Sequence, residues 1–65
     1  MVENKLKKIR ESKLMSKSEL ARKANVSVLT ISRIEKGYKS RMETKRKILM
    51  ALGLSLEEKE KVFSD

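Results

Sequence analysis

The chain has 65 residues with neither cysteine nor histidine, which limits it to one small domain without disulfides, thiolate metal sites or the commonest general base. Its 17 Lys and Arg residues against nine Asp and Glu give a formal net charge of +8. We therefore expect a single domain over residues 1–65 that is not an enzyme and has no cofactor or metal.

The positive charge is unevenly distributed. Residues 1–53 hold fifteen basic and five acidic side chains, a net of +10, whereas residues 54–65 hold two basic and four acidic ones, a net of −2. A basic body favours a polyanion as its partner, although charge alone is also compatible with an ordinary soluble surface.

No membrane segment is expected. The longest apolar run, residues 48–54, is interrupted by Gly53 and is far shorter than the roughly 18 residues of a membrane span. The N-terminal lysines are not followed by the apolar block of a secretory signal, so we expect a cytoplasmic protein.

A first helix is predicted over residues 3–13, with Val2, Leu6 and Ile9 on one apolar stripe. Arg10 follows Ile9 directly and lies four residues after Leu6, so it borders this apolar stripe. Glu35 borders the apolar face of a later helix in the same way, one residue after Ile34. We predict that these two charges pair across the two helices and fix the angle between them. The alternative is two solvated charges.

The second predicted helix of the chain opens a central segment, residues 16–37, and begins after Ser16. The spacing of Ser16 and Glu19 is that of a capping box. Leu20, Ala21 and Ala24 then recur on one face at helical spacing. Two such short helices cannot each bury a face alone, so they must cross closely, and Ala21 is small enough for a close crossing.

A tight turn at residues 25–27 leads into the second helix of this segment. Asn25 tolerates the left-handed conformation that ends a helix sharply, and Ser27 can cap the next helix. Ile31 and Ile34 form its inward face, and Gly37 ends it. Residues 16–37 therefore read as a helix-turn-helix unit.

Two more helices are predicted after a polar loop. Met42 opens a fourth helix that ends at Gly53, and its inward positions are Ile48, Leu49 and Leu52. Ser55 and Glu58 form a second capping box at the start of a fifth short helix. The apolar residues of this last helix are Leu56, Val62 and Phe63.

Four segments in this order resemble the phage repressor and Cro (XRE-like) helix-turn-helix proteins. They are Ser16-Lys-Ser-Glu-Leu-Ala, Asn25-Val-Ser, Thr30-Ile-Ser-Arg-Ile-Glu-Lys-Gly37 and Ala51-Leu-Gly-Leu-Ser55. The resemblance covers about residues 6–62. It implies a compact all-α domain of five helices, lambda-repressor-like, that binds a double-stranded DNA operator and regulates transcription as a repressor.

The resemblance also assigns base-reading positions to the second helix of the unit, which enters the major groove in such proteins. They are Val28, Leu29, Ser32 and Arg33. Arg33 suits a bidentate contact to guanine, and the two apolar residues suit thymine methyl groups. Val28 and Leu29 depart from the polar residues usual in the family, and the competing interpretation places Leu29 in the core.

Phosphate contacts are expected around the same helix. The candidates are Lys17, Ser27, Thr30, Lys36, Lys39 and Arg41. Lys17 stands at a helix N-terminus, where the dipole and free N–H groups favour a phosphate. For any individual lysine, the alternative is a solvated surface charge.

The resemblance implies a homodimer on a near-palindromic operator. Leu56, Val62 and Phe63 either supply the dimer contact or close the core of the monomer. A second hypothesis is a protein-interaction or antitoxin module that keeps the fold, with Val28 and Leu29 as its partner contact. The positive charge of the body argues against it.

Overall fold

A computed structural model describes residues 5–63, which form five helices and thereby confirm the predicted all-α fold class. The α-helices are α1 (Leu6–Ser12), α2 (Lys17–Ala24), α3 (Val28–Glu35) and α4 (Met42–Ala51), and a 3-10 helix (Leu56–Lys61) follows. The helix predicted over residues 3–13 is thus shorter in its described part, with Lys5 and Lys13 as its caps. Val2 and residues 3 and 4 lie outside the described residues.

Each of the four α-helices is ended by a residue with positive φ, namely Leu14, Asn25, Gly37 and Gly53. The residue after it donates its N–H to a carbonyl five positions back, as from Tyr38 to Arg33 (3.1 Å) and from Leu54 to Leu49 (2.9 Å). This is the Schellman arrangement, which satisfies carbonyls that the helix end leaves open. The predicted ends at Asn25, Gly37 and Gly53 are confirmed, whereas Leu14 in this role was not anticipated.

Serine hydroxyls cap the starts of α2 and α3. Ser16 Oγ accepts the N–H of Glu19 at 3.0 Å, and Ser27 Oγ accepts the N–H of Thr30 at 3.1 Å. The Glu19 carboxylate lies 3.5 Å from Lys23 Nζ, one turn further on. Only the hydroxyl half of the capping box predicted at Ser16 is therefore formed.

The core lies where α2 packs against α3 and α4, with α1 against α3 and the 3-10 helix against α4. Ala21 and Ala24 are buried at the crossing of α2, as a close approach of two backbones requires. The buried apolar side chains are Leu6, Met15, Leu20, Ala21, Ala24, Ile31, Ile34, Ile48, Leu49, Leu52, Val62 and Phe63.

The last segment differs from its prediction in two respects. It is a 3-10 helix, and its start carries the predicted capping box, in which the N–H and the hydroxyl of Ser55 both donate to Glu58 Oε1, at 3.1 and 3.0 Å. Val62 and Phe63 are buried, so they close the core of the monomer, whereas Leu56 is exposed and was wrongly grouped with them.

Candidate nucleic-acid interface

A buried ion pair sets the position of α3. Arg10 Nε lies 2.7 Å from Glu35 Oε2 and Nη2 lies 3.2 Å from Oε1, with only 8 % and 5 % of the two side chains exposed. The remaining guanidinium nitrogen, Nη1, donates to the carbonyl of Met15 at 2.8 Å. The hydrogen bonds to Glu35 raise the pKa of Arg10, against the opposing effect of burial.

The pair predicted from the sequence is therefore present, and it does more than join two helices. One guanidinium holds α1, the segment that enters α2 and the last residue of α3. Because all three contacts are charge-assisted and come from one buried guanidinium, they fix the direction of α3 relative to the rest of the domain.

The side of α3 that faces away from the core carries the four predicted base-reading residues. Ile31 and Ile34 point inward and are buried, while Val28 and Leu29 are 42 % and 58 % exposed. Arg33 is exposed and Ser32 is half-buried. The alternative that placed Leu29 in the core is wrong, because its side chain is mostly in solvent.

Lys17 extends from the start of α2 toward this side of α3. Its Nζ lies 3.4 Å from Ser32 Oγ, to which it donates a long hydrogen bond. The contact joins a predicted phosphate residue to a predicted base-reading residue, and it directs a positive charge along the outward side of α3.

The hydroxyls of Ser27 and Thr30 bond to each other. Ser27 Oγ lies 2.8 Å from Thr30 Oγ1 and also accepts the Thr30 N–H. One hydroxyl proton is used between them, which leaves the other free to donate outward. Ser27 can therefore cap α3 while the pair of hydroxyls still offers one donor to a phosphate.

A groove of about 770 Å³ runs between the second half of α3 and the loop that leads into α4. It brings together four predicted residues, Thr30, Arg33, Lys39 and Arg41, whereas Lys36 is exposed at the end of α3 and does not line it. Three further lining residues with hydroxyl groups were missed, namely Tyr38, Ser40 and Thr44. Only their place next to the predicted basic loop could have indicated them.

The cations of this groove are not neutralised by acidic neighbours. Within residues 5–63, the ion pairs are those of Arg10, Lys23, Lys47 and Lys61 with glutamates, and none of these cations lines the groove. Three uncompensated charges beside an exposed helix face suit a polyanion with its charges spaced along a backbone.

Within residues 5–63 there is no cluster of three or more side chains of the kind that holds a metal ion. In the same range, no helix is both long enough and apolar enough to span a bilayer.

Two short helices joined by a tight turn, the second presenting an outward face beside an uncompensated basic groove, define a helix-turn-helix protein of the DNA-binding class. A comparison with family models agrees, since the helix-turn-helix model matches residues 6–59, most of the chain. The chain belongs to this family of DNA-binding regulators, of the Cro/XRE type. A comparison with curated proteins gives no significant match.

Proposed function

We propose that this protein is a sequence-specific repressor of transcription that inserts α3 into the major groove of its operator. The observation that carries the proposal is the outward side of α3. It presents Arg33 and two exposed apolar residues and lies against a groove whose cations have no acidic partner in the described chain. DNA offers both complements, base edges in the major groove and phosphates on either side of it.

Each predicted residue has a role in this arrangement. Arg33 reads guanine through a bidentate contact, and Ser32 offers a hydroxyl to a neighbouring base edge. Lys39 and Arg41 hold the backbone beside the groove, Lys36 adds charge at the end of α3, and Ser27 and Thr30 contribute one free hydroxyl donor. Lys17 holds a phosphate at the start of α2.

A single α3 spans only a few base pairs, so we propose that two chains bind a near-palindromic operator with half-sites about 34 Å apart. Such a protein acts in the cytoplasm, in contact with the nucleoid. Burial of Val62 and Phe63 within the monomer leaves the dimer contact to other surface residues.

Selection of bound sites from a random duplex library, followed by titration of the selected site, tests the proposal. We expect a consensus sequence with twofold symmetry. We also expect log K to fall linearly with log salt concentration, at about 0.9 per neutralised phosphate. Recovery of no sequence better than random duplex would refute specific recognition.

Variants separate base reading from backbone binding. Arg33→Ala should relax preference at one base pair by about 1–3 kcal/mol. Lys39→Ala should lower the affinity for every duplex by the same factor. It should also reduce the slope of log K against log salt by about 0.9, the contribution of one phosphate. Lys7→Ala removes the same charge from an exposed position on α1 outside the groove, and it is the matched control.

A protein-interaction role is the second candidate, because the exposed Val28 and Leu29 could equally contact an apolar partner. The two candidates differ in what the α3 variants change. If Leu29→Ala leaves all duplex affinities unchanged and duplexes show no sequence preference, the interaction role is favoured.

A further inference from the structure

The first turn of α3 presents an apolar surface that the core does not use. Val28 and Leu29 are 42 % and 58 % exposed, and neither belongs to the core cluster or to the half-buried residues packed on it. Both follow the cap residue Ser27 directly, so they lie at the end of α3 that meets base edges in a helix-turn-helix protein.

The polar groups around this surface are partly engaged within the protein, and the Ser27–Thr30 pair keeps one free hydroxyl proton. The hydroxyls of Ser27 and Thr30 bond to each other at 2.8 Å, and Ser32 accepts from Lys17 at 3.4 Å. Arg33 is the strong donor of α3 and lies a turn beyond Leu29. What the first turn itself offers a ligand is therefore mainly aliphatic surface.

The major groove contains one apolar group that complements such a surface, the C5 methyl group of thymine. The groove edge of cytosine carries a hydrogen at that carbon, and 5-methylcytosine carries the same methyl group as thymine. An aliphatic patch has no donor or acceptor with which to read a base edge, so its favourable contact in the groove is with this methyl group.

We propose that Val28 and Leu29 form a methyl-reading patch, which selects operators that carry a 5-methylpyrimidine opposite the first turn of α3. This inference rests on the proposed function, since it requires α3 to lie in the major groove. It makes Leu29, the larger and more exposed of the two, the main specificity residue beside Arg33. It also predicts that methylation of a cytosine opposite the first turn of α3 increases the affinity of the protein for the operator.

The test replaces each thymine of the selected operator by deoxyuridine, one position at a time, and measures Kd by fluorescence anisotropy at fixed salt. Deoxyuridine removes only the methyl group and keeps base pairing. Burial of one methyl group corresponds to about a fourfold change in Kd. We expect such a loss at one or two positions of each half-site for the wild-type protein.

Leu29→Ala should abolish this difference and bind the thymine and deoxyuridine operators equally. Its expected coupling with the methyl group is the same fourfold factor, read from a double-mutant cycle. Leu29→Met keeps apolar bulk and should retain the preference. Met50→Ala removes an exposed apolar side chain from α4 and should leave both affinities unchanged.

A second arm places C·G or 5-methylcytosine·G at each deoxyuridine-sensitive position. The methylated duplex should bind the wild-type protein about four times more tightly than the unmethylated one. Equal affinities would overturn the inference, because the patch would then respond to something other than the methyl group.

The outcomes separate this inference from the function on which it rests. If no selected site outcompetes random duplex, the proposed function fails. If a specific site is found but deoxyuridine is tolerated at every position, the function stands and the methyl-reading patch is refuted. The deoxyuridine series uses the wild-type protein, so it decides the matter even if a variant folds poorly.

Discussion

Replacing Arg10 by methionine should be among the most damaging single changes in this domain. The substitution removes two hydrogen bonds to Glu35, at 2.7 and 3.2 Å, and one to the Met15 carbonyl at 2.8 Å. It also leaves a carboxylate whose side chain is 5 % exposed without its counter-charge. Loss of one partner from a buried pair costs about 3–5 kcal/mol.

That cost is large relative to the whole stability of the domain. At about 0.05–0.15 kcal/mol per residue, the free energy of unfolding of a chain of this length is roughly 3–10 kcal/mol. A loss of 3 kcal/mol corresponds to a decrease in Tm of about 12–24 °C for a domain of this size. We therefore expect Arg10→Met to be marginally folded at 25 °C.

The double variant Arg10→Met, Glu35→Leu distinguishes the charge from the packing. It removes both ions and fills the space with apolar side chains, so it should recover at least about 2 kcal/mol relative to Arg10→Met. Urea unfolding followed by circular dichroism at 222 nm measures all the variants. Lys23→Met is the matched control, because its contact with Glu19 at 3.5 Å is half exposed and should contribute less than about 0.5 kcal/mol.

Two results would contradict this reasoning. One is a Tm for Arg10→Met close to that of Lys23→Met. The other is a double variant whose loss equals the sum of the two single losses, since that would mean that the charges do not interact. Salt should have little effect on the pair, because it is buried and screened less than a surface pair.

Three further predictions concern a helix end, a helix crossing and a cap. Leu14 has φ 56° and is 92 % exposed, so its left-handed backbone conformation is strained while its side chain makes little contact. Leu14→Gly should relieve this strain and raise the free energy of unfolding by about 0.5–1 kcal/mol. Leu14→Ala, the control, should bring no comparable gain. Ala21 is buried where α2 packs against its neighbours, so the larger side chain of Ala21→Leu should overfill the crossing. We expect the free energy of unfolding in the same urea assay to fall by about 1–3 kcal/mol. An unchanged free energy of unfolding would mean that the crossing has spare room. The backbone hydrogen bond from Ser55, followed by the side-chain hydrogen bonds from Lys61 and Ser55, lowers the pKa of Glu58 from 4.5 to about 2. Because the folded pKa is the lower one, the stabilising contribution is present above pH 4.5 and is lost as the pH falls toward 2. An NMR titration should place the Glu58 midpoint near pH 2 in the native protein, and a midpoint near 4.5 would show that the cap is not formed.

Much of the fold follows from local rules that act within a few residues. Hydroxyl caps at Ser16 and Ser27 and left-handed ends at Gly37 and Gly53 are readable in the sequence, because each depends on one side chain and its own backbone. The inward isoleucines of α3 are equally readable from their spacing, because one helix face must be apolar to be buried. The two-helix unit at residues 16–37 and its family follow from these features.

Other features depend on contacts between distant residues. The sequence placed Arg10 opposite Glu35, but the third contact, to the Met15 carbonyl, exists only because the chain turns back on itself at Leu14. Spacing alone did not distinguish Leu56 from Val62. In the structure, where the 3-10 helix packs against α4, Val62 is buried and Leu56 is exposed.

The amino-acid sequence by itself determined the order of the helices, the hydroxyl caps at Ser16 and Ser27, the apolar faces and the excess of positive charge, because these are properties of short segments and of composition. Only the tertiary structure decided which cations have no acidic partner, that Tyr38 and Thr44 share a groove with Arg33, and that Leu29 lies in solvent. The physical reason is that exposure and charge compensation are set by what other helices place nearby, and no local pattern specifies that.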